Sequence, residues 1–294
     1  MKPVNFDYLA PTDVVEALAL LEQYGDEAKI LAGGQSLMPL MNLRLARPRV
    51  IIDINRLSDL AYISPDPNGG MAIGALTRQR AMERSSLVHE RNPLLAAAMP
   101  LIGHFQIRNR GTIGGSLVHA DPAAELPALS IALEAEFVLR CAHRQRVMPA
   151  EGFFLSYLTT AIEPAELLTE IRIPAWKPGA GWAIEEVCRR EGDFALVGAT
   201  ILLHLDAHEA CQDVCVVLFG VGGTPVRIRK AEGMLRGRAL DARALTEVAR
   251  VVSEDLEPDS DLHASAEYRK EVGGVLTRRA LEAALTRGKG GIHA

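Results

Sequence analysis

Several features are missing from this chain of 294 residues, and each absence argues against a class of function. The net charge is −5 and no long basic run occurs, so a nucleic-acid-binding surface is not expected. No apolar run approaches the roughly 20 residues that a membrane-spanning helix needs. The first residues, "MKPVNFDYLAP", lack the apolar h-region of a signal peptide, so we expect a cytoplasmic protein without a membrane span.

Cysteine is also scarce, and its spacing argues against a metal centre. The four cysteines are Cys141, Cys188, Cys211 and Cys215, and none forms a CxxC pair. Cys211 and Cys215, near His208, can be read as metal ligands or as two free thiols at the start of a strand. A closed zinc site needs four ligands at tighter spacing, which favours free thiols. We therefore predict no metal site and no iron–sulfur cluster on this chain.

The first part of the chain alternates between helix and strand patterns. Residues 13–25 are predicted to form a helix, with Asp13 and Glu16 as a capping pair at its start. The segments "AKILAGG" (28–34) and "RVIIDI" (49–54) have the apolar character of buried strands. The chain therefore opens with a β-α-β-like unit in which a Gly-Gly turn directly follows a strand.

The next part of the chain predicts further strands and helices around a core. Two short apolar runs flank a turn in 60–77, which indicates a hairpin. Residues 93–105 predict a buried helix that Pro100 bends or ends. The stretch 128–140 changes from a helix pattern to a strand pattern, and 167–174 alternates as a strand does.

A segment rich in proline and glycine, "AWKPGAGW" (175–182), marks a predicted domain boundary. Strands grouped together and then helices grouped together are typical of an α+β domain, here with a three-stranded sheet. Residues 289–294 are predicted to be a flexible tail. The predicted strands are 183–190, 195–205 and 214–223, and the predicted helices are 228–237, 241–256 and 264–285.

Two glycine segments share one form: "AGGQSL" (32–37) and "TIGGSL" (112–117). Because glycine has no side chain, backbone N–H groups can line a concave loop and approach an anion closely, and the serine adds a donor. Two such loops facing each other would hold a pyrophosphate, although each loop alone can be an ordinary tight turn. Neither loop has the GxGxxG pattern of a Rossmann site or the pattern of a P-loop.

Charged side chains surround the second glycine loop. Arg108 and Arg110 either balance phosphate charge or form a solvated basic face. Glu125 either accepts hydrogen bonds from ribose hydroxyls or is a surface carboxylate at a helix start. Asp121 precedes a proline and is predicted to be a helix N-cap. His119 either lines a ligand pocket or bonds to the backbone.

These two segments carry a family resemblance. "LAGGQSLMPLMNLRLARP" (31–48) followed later by "IRNRGTIGGSLVHADPAAELP" (107–127) resembles the FAD-binding medium subunit of molybdenum hydroxylases. That family comprises the carbon monoxide dehydrogenase, xanthine dehydrogenase and aldehyde oxidase group. "RREGDFALVG" (189–198) and "SAEYRK" (265–270) resemble signatures of its C-terminal domain, so the resemblance spans nearly the whole chain.

The resemblance implies an α+β fold with two domains. A two-lobed FAD-binding domain of the vanillyl-alcohol-oxidase type would cover residues 1–177, with lobes at 1–57 and 58–177. A smaller α+β domain would follow at 178–288. The implied FAD-binding residues are Ala32, Gly33, Gly34, Gln35, Ser36, Leu37, Gly111, Thr112, Ile113, Gly114, Gly115, Ser116, His119, Glu125, Leu168 and Phe194.

The resemblance also implies roles for these residues. The two glycine loops would hold the pyrophosphate from opposite sides. His119 and Glu125 would contact the ribityl and adenosine portions, and Leu168 would contact the flavin. Phe194 would shield the isoalloxazine ring, with packing in the core as the alternative.

The sequence departs from the family near the flavin. Family members often have a lysine just before the Arg-Arg pair, where this chain has Glu185 and Glu186. A nearby carboxylate would disfavour the anionic reduced flavin that a lysine favours. The departure therefore bears on the flavin potential and on the choice of electron acceptor.

The implied function is electron transfer by FAD, without a catalytic acid–base pair on this chain. Electrons would come from [2Fe–2S] clusters on a small subunit, served by a large molybdopterin subunit, and would go to NAD, a quinone or dioxygen. The resemblance implies an αβγ complex, usually doubled. Two alternatives stay open: a stand-alone FAD-dependent reductase resembling the enolpyruvyl-UDP-glucosamine reductases, and a non-catalytic nucleotide-binding module.

Overall fold

The computed structural model describes residues 1–292 and shows a mixed helix and strand architecture built on three main sheets. The N-terminal sheet has three parallel strands in the order β1-β3-β2. The predicted β-α-β unit is confirmed, and a short first strand joins it that the sequence did not indicate. The elements are β1 (Asp7–Leu9), α1 (Val14–Tyr24), β2 (Ala28–Leu31), α2 (Leu37–Asn42) and β3 (Val50–Asp53).

Helix α1 is stabilised by capping residues at both ends and by burial of its apolar face. The Glu16 amide donates to Asp13 Oδ1 at 2.9 Å, which satisfies an otherwise unpaired N–H at the helix start. Leu18 and Leu21 are buried against the parallel sheet. Gly25 ends the helix with φ of +49°, a conformation that favours glycine. The helix predicted for 13–25 is confirmed.

The second sheet has five antiparallel strands in the order β4-β5-β10-β6-β7. The predicted hairpin at 60–77 is its β4–β5 pair. The helix predicted at 93–105 is α-helical only to Ala98; Pro100 lies in the 3-10 turn Met99–Leu101 that ends it, and Phe105 already begins the next helix. The strands are β4 (Ile63–Pro65), β5 (Met71–Gly74), β6 (Glu136–Arg140), β7 (Gln145–Pro149), the small hairpin β8 (Phe154–Ser156) and β9 (Thr159–Thr160), and β10 (Leu167–Ile173).

Six helices connect and cover this second sheet. Their buried residues join those of the sheet in the largest apolar core of the molecule, which includes Phe137 and Phe153. The helices are α3 (Gln79–Glu83), α4 (Ser86–Arg91), α5 (Pro93–Ala98), α6 (Phe105–Arg110), α7 (Ile113–His119) and α8 (Glu125–Ala132).

The C-terminal sheet has four antiparallel strands in chain order, so the prediction of three strands was wrong by one. The additional strand has two residues and pairs with β13 through Val217 and Leu218, and it is too short to show a periodic pattern. The strands are β11 (Gly181–Val187), β12 (Val197–Leu205), β13 (Cys211–Phe219) and β14 (Val226–Arg227).

Three helices pack with this sheet: α9 (Arg229–Leu235), α10 (Ala242–Asp255) and α11 (Ala266–Ile292). Helix α11 is longer than predicted, so residues 289–292 of the expected tail belong to its last turn. His293 and Ala294 lie outside the described residues.

The C-terminal domain packs against the N-terminal part through the largest apolar core, which Cys215, Val217 and Phe219 of the C-terminal sheet join. The Gly220 amide also donates to the Pro122 carbonyl at 2.8 Å. Within the C-terminal domain, Arg269 donates to the Gly220 carbonyl at 2.7 Å and pairs with Asp261 at 2.7 Å. The segment 192–194 of this domain lies at the edge of a cleft in the N-terminal part.

Among residues 1–292, no helix has both the length and the apolar character needed to cross a membrane.

Candidate functional site

A cleft of about 750 Å³ is lined by strands β2 and β10 of the first two sheets, by the loop 192–194 of the C-terminal domain and by both glycine loops. This volume falls within the range usual for cofactor sites. Fifteen of the sixteen residues predicted from the resemblance line the cleft. The exception is Ile113, which is 2% exposed and packs in the largest apolar core, because it starts α7 with its side chain directed inward.

The two glycine loops, distant in sequence, touch each other. A Cβ atom on Gly33 would lie 2.4 Å from the Arg110 carbonyl oxygen and 2.9 Å from the Gly111 Cα atom. Real Cβ atoms do not approach backbone this closely, so only glycine permits this contact. The contact fixes the separation of the loops across the cleft.

The first loop presents unused donors. Within residues 1–292, the amides of residues 33–37 donate no hydrogen bond to the protein. Gly34 has φ of +76°, which lets the chain turn sharply between the strand β2 and the helix α2. Amides left without partners in a concave loop are suited to an anionic ligand, as the sequence predicted.

The second loop differs from this expectation. The Gly114 amide donates to the Ala75 carbonyl at 2.9 Å, and the Gly115 amide donates to Thr112 Oγ1 at 3.0 Å. A Cβ atom on Gly114 would lie 2.6 Å from the Ala75 Cβ atom. The glycines of this loop therefore allow close packing under the cleft rather than supplying free donors. Ser116 lies on the cleft wall, and its hydroxyl makes no hydrogen bond to another residue of the described part of the chain, so it can donate to a ligand.

Arg108 has a structural role that the sequence did not indicate. It is 7% exposed and pairs with Glu83 at 2.8 Å, so both alternatives, phosphate partner and solvated face, are wrong for this residue. Its Nη1 atom donates to the carbonyls of Ile102 and Gly103, at 3.0 and 2.7 Å. These two residues line the cleft, so Arg108 shapes its wall. Arg110, by contrast, is exposed.

Glu125 is a buried carboxyl at the cleft and not a surface group. It is 3% exposed, and burial, with a smaller contribution from the Glu186 carboxyl, raises its pKa to about 8. Such a group is mostly protonated at neutral pH, when it both donates and accepts a hydrogen bond.

The two glutamates that depart from the family pattern lie on β11, where adjacent side chains point to opposite faces. Burial raises the pKa of Glu186 to about 7, and its Oε2 atom is buried without a hydrogen-bond partner among the described residues. Glu186 is therefore partly neutral near pH 7. Its effect on a nearby anion is smaller than that of the full negative charge assumed from sequence.

His119 and Leu168 both line the cleft, as predicted. His119 is half-buried, and burial lowers its pKa, so it is neutral at neutral pH. Asp121 is not a helix cap as predicted: its Oδ1 atom accepts from the Ala123 amide at 2.9 Å in a turn. The N-cap of α8 is Ala124, which has no side-chain acceptor.

Phe194 stands at the cleft edge with 58% of its surface exposed, which contradicts the alternative of core packing. It also lines a second cavity of about 550 Å³ that adjoins the cleft. Gly192 and Asp193 line both cavities as well.

Sequence reasoning missed Gln79, which lines the cleft beside Gly111. Gln79 is 4% exposed, and its Oε1 atom is buried without a partner among the described residues. No motif in the sequence marks it.

The structure also locates the cysteines and the other side chains that could bind a metal ion. All four cysteines are free thiols, and Cys211 and Cys215 are buried in β13. Within residues 1–292, no group of three His, Cys, Asp or Glu side chains is arranged to hold a metal ion.

Comparison with known proteins assigns family models to both parts of the chain. Residues 4–176 match the model described as "FAD binding domain in molybdopterin dehydrogenase". Residues 182–284 match the model described as "CO dehydrogenase flavoprotein C-terminal domain".

Relatives match over nearly the full length of the chain. The carbon monoxide dehydrogenase medium chain of Hydrogenophaga pseudoflava is 41% identical over 98% of this chain and 99% of its own. The 6-hydroxypseudooxynicotine dehydrogenase complex subunit alpha of Paenarthrobacter nicotinovorans is 40% identical over 98% of this chain and 97% of its own. The solved carbon monoxide dehydrogenase from Hydrogenophaga pseudoflava matches with a TM-score of 0.94 and 42% identity, covering 98% of this chain and 99% of that one.

Proposed function

Because the chain belongs to the family of FAD-binding medium subunits of molybdenum hydroxylases, we propose that it holds FAD in the cleft between its two glycine loops. In this proposal the cofactor-binding domain is residues 1–177, with two lobes of the vanillyl-alcohol-oxidase type at 1–57 and 58–177. The domain at 178–288 covers one edge of the cleft.

One observation supports the proposal above others: the two loops meet in one cleft, and the first carries a run of unused amide donors. A diphosphate needs several donors close to backbone, and side chains at Gly33 or Gly34 would obstruct them. The unpartnered buried oxygen of Gln79 is a further acceptor for a ligand N–H or O–H group. The residues present therefore fit FAD.

The cleft residues divide into roles along the cofactor. In this proposal the amides of 33–37, which donate no bond within the described residues, and the hydroxyl of Ser116 on the cleft wall bind the diphosphate. Glu125, held neutral by burial, can donate its proton to a hydroxyl oxygen and accept from another, which a carboxylate cannot do. Leu168 supplies an apolar wall, and Phe194 shields the flavin edge from solvent.

The proposed assembly and acceptor are those implied by the family resemblance. When bound, FAD supplies the redox chemistry, taking electrons from [2Fe–2S] clusters of a small subunit and delivering them to NAD, a quinone or dioxygen. A large molybdopterin subunit completes an αβγ complex, which we propose is doubled. This chain orients the cofactor and keeps water from its buried side.

The test is FAD retention by the full chain after substitution of one glycine. Gly33→Ala places a Cβ atom 2.4 Å from the Arg110 carbonyl oxygen, so the loops must separate. We expect FAD affinity, measured by quenching of flavin fluorescence, to fall at least about tenfold, which is about 1.4 kcal/mol. Gly233→Ala is the matched control, because nothing lies within 4 Å of its added Cβ atom.

Equal FAD affinity in Gly33→Ala and Gly233→Ala would show that the loops do not hold the diphosphate. A wild-type chain that takes up no FAD would fit a nucleotide-binding module that has lost the flavin. A wild-type chain reduced by a substrate without partner subunits would fit a stand-alone reductase.

A further inference from the structure

A continuous hydrogen-bonded path joins the two glycine loops outside the cleft. Asn55 Nδ2 donates to the Ala32 carbonyl at 2.7 Å, and Asn55 Oδ1 accepts from Arg78 Nη2 at 2.6 Å. Arg78 Nη1 donates to the Arg110 carbonyl. We call this path the Asn55–Arg78 bridge.

The bridge ends at or beside the two loops. Ala32 is the first residue of the loop with the unused amides, and Arg110 lies two residues before the second loop. The carbonyl of Arg110 that Arg78 holds is also the atom that Gly33 packs against. The backbone of Arg78 pairs with Thr112 as an isolated antiparallel bridge, which ties Arg78 to the second loop a second time.

The bridge is itself anchored. Asp53 Oδ1 accepts from both the amide and the Nδ2 atom of Asn55, at 2.9 and 2.6 Å. Asp53 Oδ2 accepts from the Tyr8 hydroxyl at 2.6 Å. These bonds set the orientation of the Asn55 amide, because its Nδ2 atom must point to Ala32 and Asp53 while its Oδ1 atom faces Arg78.

Neither Asn55 nor Arg78 lines the cleft, so neither is placed to contact the cofactor. We propose that Asn55 and Arg78 are positioning residues that hold the two glycine loops at the separation the FAD diphosphate requires. This proposal rests on the proposed function. The family resemblance implied no role for Asn55 or Arg78.

The chemistry of arginine is specific to this task. Its planar guanidinium offers two nitrogens in a fixed fork, and Arg78 uses one for each side of the cleft. Lysine keeps the positive charge but has a single nitrogen, so it cannot reproduce the fork. If Arg78 acted only as a positive charge near the diphosphate, Arg78→Lys would preserve FAD binding.

The experiment uses the full chain freed of FAD, with FAD and ADP as separate probes. For Arg78→Met, Arg78→Lys and Asn55→Ala we expect FAD affinity to fall about tenfold to a hundredfold, with a similar loss for ADP, which carries the diphosphate without the flavin. Arg84→Met is the matched control, because Arg84 is exposed and makes no ion pair or side-chain hydrogen bond within residues 1–292.

A double substitution and a melting measurement separate positioning from simple stabilisation. Since both residues act in one path, Arg78→Met with Asn55→Ala should bind FAD within about threefold of the weaker single variant. The proposal would be overturned if the loss of FAD affinity in the double variant equalled the product of the two single losses. It would also be overturned if Arg78→Lys bound FAD with wild-type affinity. Unchanged FAD and ADP affinity in folded variants whose melting temperature alone has fallen would overturn it as well. A wild-type chain that binds neither probe would overturn the proposed function, and the bridge with it.

Discussion

The ionisation of Glu125 gives a quantitative prediction of how stability depends on pH. Glu125 is the first residue of α8, is 3% exposed and has a pKa raised by burial from 4.5 to about 8. The folded chain therefore holds a proton on this carboxyl across a pH range in which the unfolded chain has released it.

The direction in which stability changes with pH follows from this difference in pKa between the folded and unfolded chain. Because the folded pKa lies above the unfolded pKa, the folded state has its full stability with respect to Glu125 below pH 4.5. It loses that stability as the pH rises through about 8, at up to about 1.4 kcal/mol per pH unit. The loss is about 3 kcal/mol at pH 7 for an isolated group. Part of the penalty is shared with Glu186, whose pKa is about 7, so we expect Glu125→Gln to recover about 2 kcal/mol or more.

Calorimetric melting of the FAD-free full chain at pH 5 and pH 8 measures this effect. A gain of about 2 kcal/mol raises the melting temperature of a domain this size by roughly 4–8 °C. We expect that gain for Glu125→Gln at pH 8 and little change at pH 5. Glu90→Gln, at an exposed position on α4, is the control. If wild type and Glu125→Gln lose stability equally between pH 5 and pH 8, the pKa of Glu125 is not raised by burial in the folded chain.

Two further predictions concern the walls of the cleft. Arg108→Met removes the donor to the carbonyls of Ile102 and Gly103, while Glu83 keeps its ion pair with Arg80 at 2.6 Å. We therefore expect the free energy of unfolding to fall by about 2 kcal/mol and FAD retention to weaken. An unchanged melting temperature would refute this. Phe194→Ala should change the free energy of unfolding by less than about 0.5 kcal/mol, because the side chain is 58% exposed. It should, however, change the rate at which added acceptor reoxidises the reduced, FAD-loaded complex. An unchanged rate would refute the shielding role.

Local features of the fold were predictable from the sequence. The capped helix α1, the hairpin at 60–77 and the break at Pro100 depend on residues a few positions apart, so the sequence pattern contains their cause. The two glycine segments were predictable as loops for the same reason, because glycine is required wherever a Cβ atom has no room.

Other features could not be predicted because their partners are far away in the chain. Arg108 became a buried structural residue through Glu83, and Glu125 acquired its raised pKa from burial and from Glu186 on another domain. Ile113 turned into the core, although it stands inside a loop motif.

The sequence by itself therefore determined which segments turn, cap and carry glycine, and with the family resemblance it indicated the cofactor. The tertiary structure alone decided which of the two loops has free donors, which carboxyl is neutral, and that Asn55 and Arg78 join the loops. The physical reason is that donor satisfaction, burial and charge are set by neighbours in space, and these neighbours come from segments that the sequence separates.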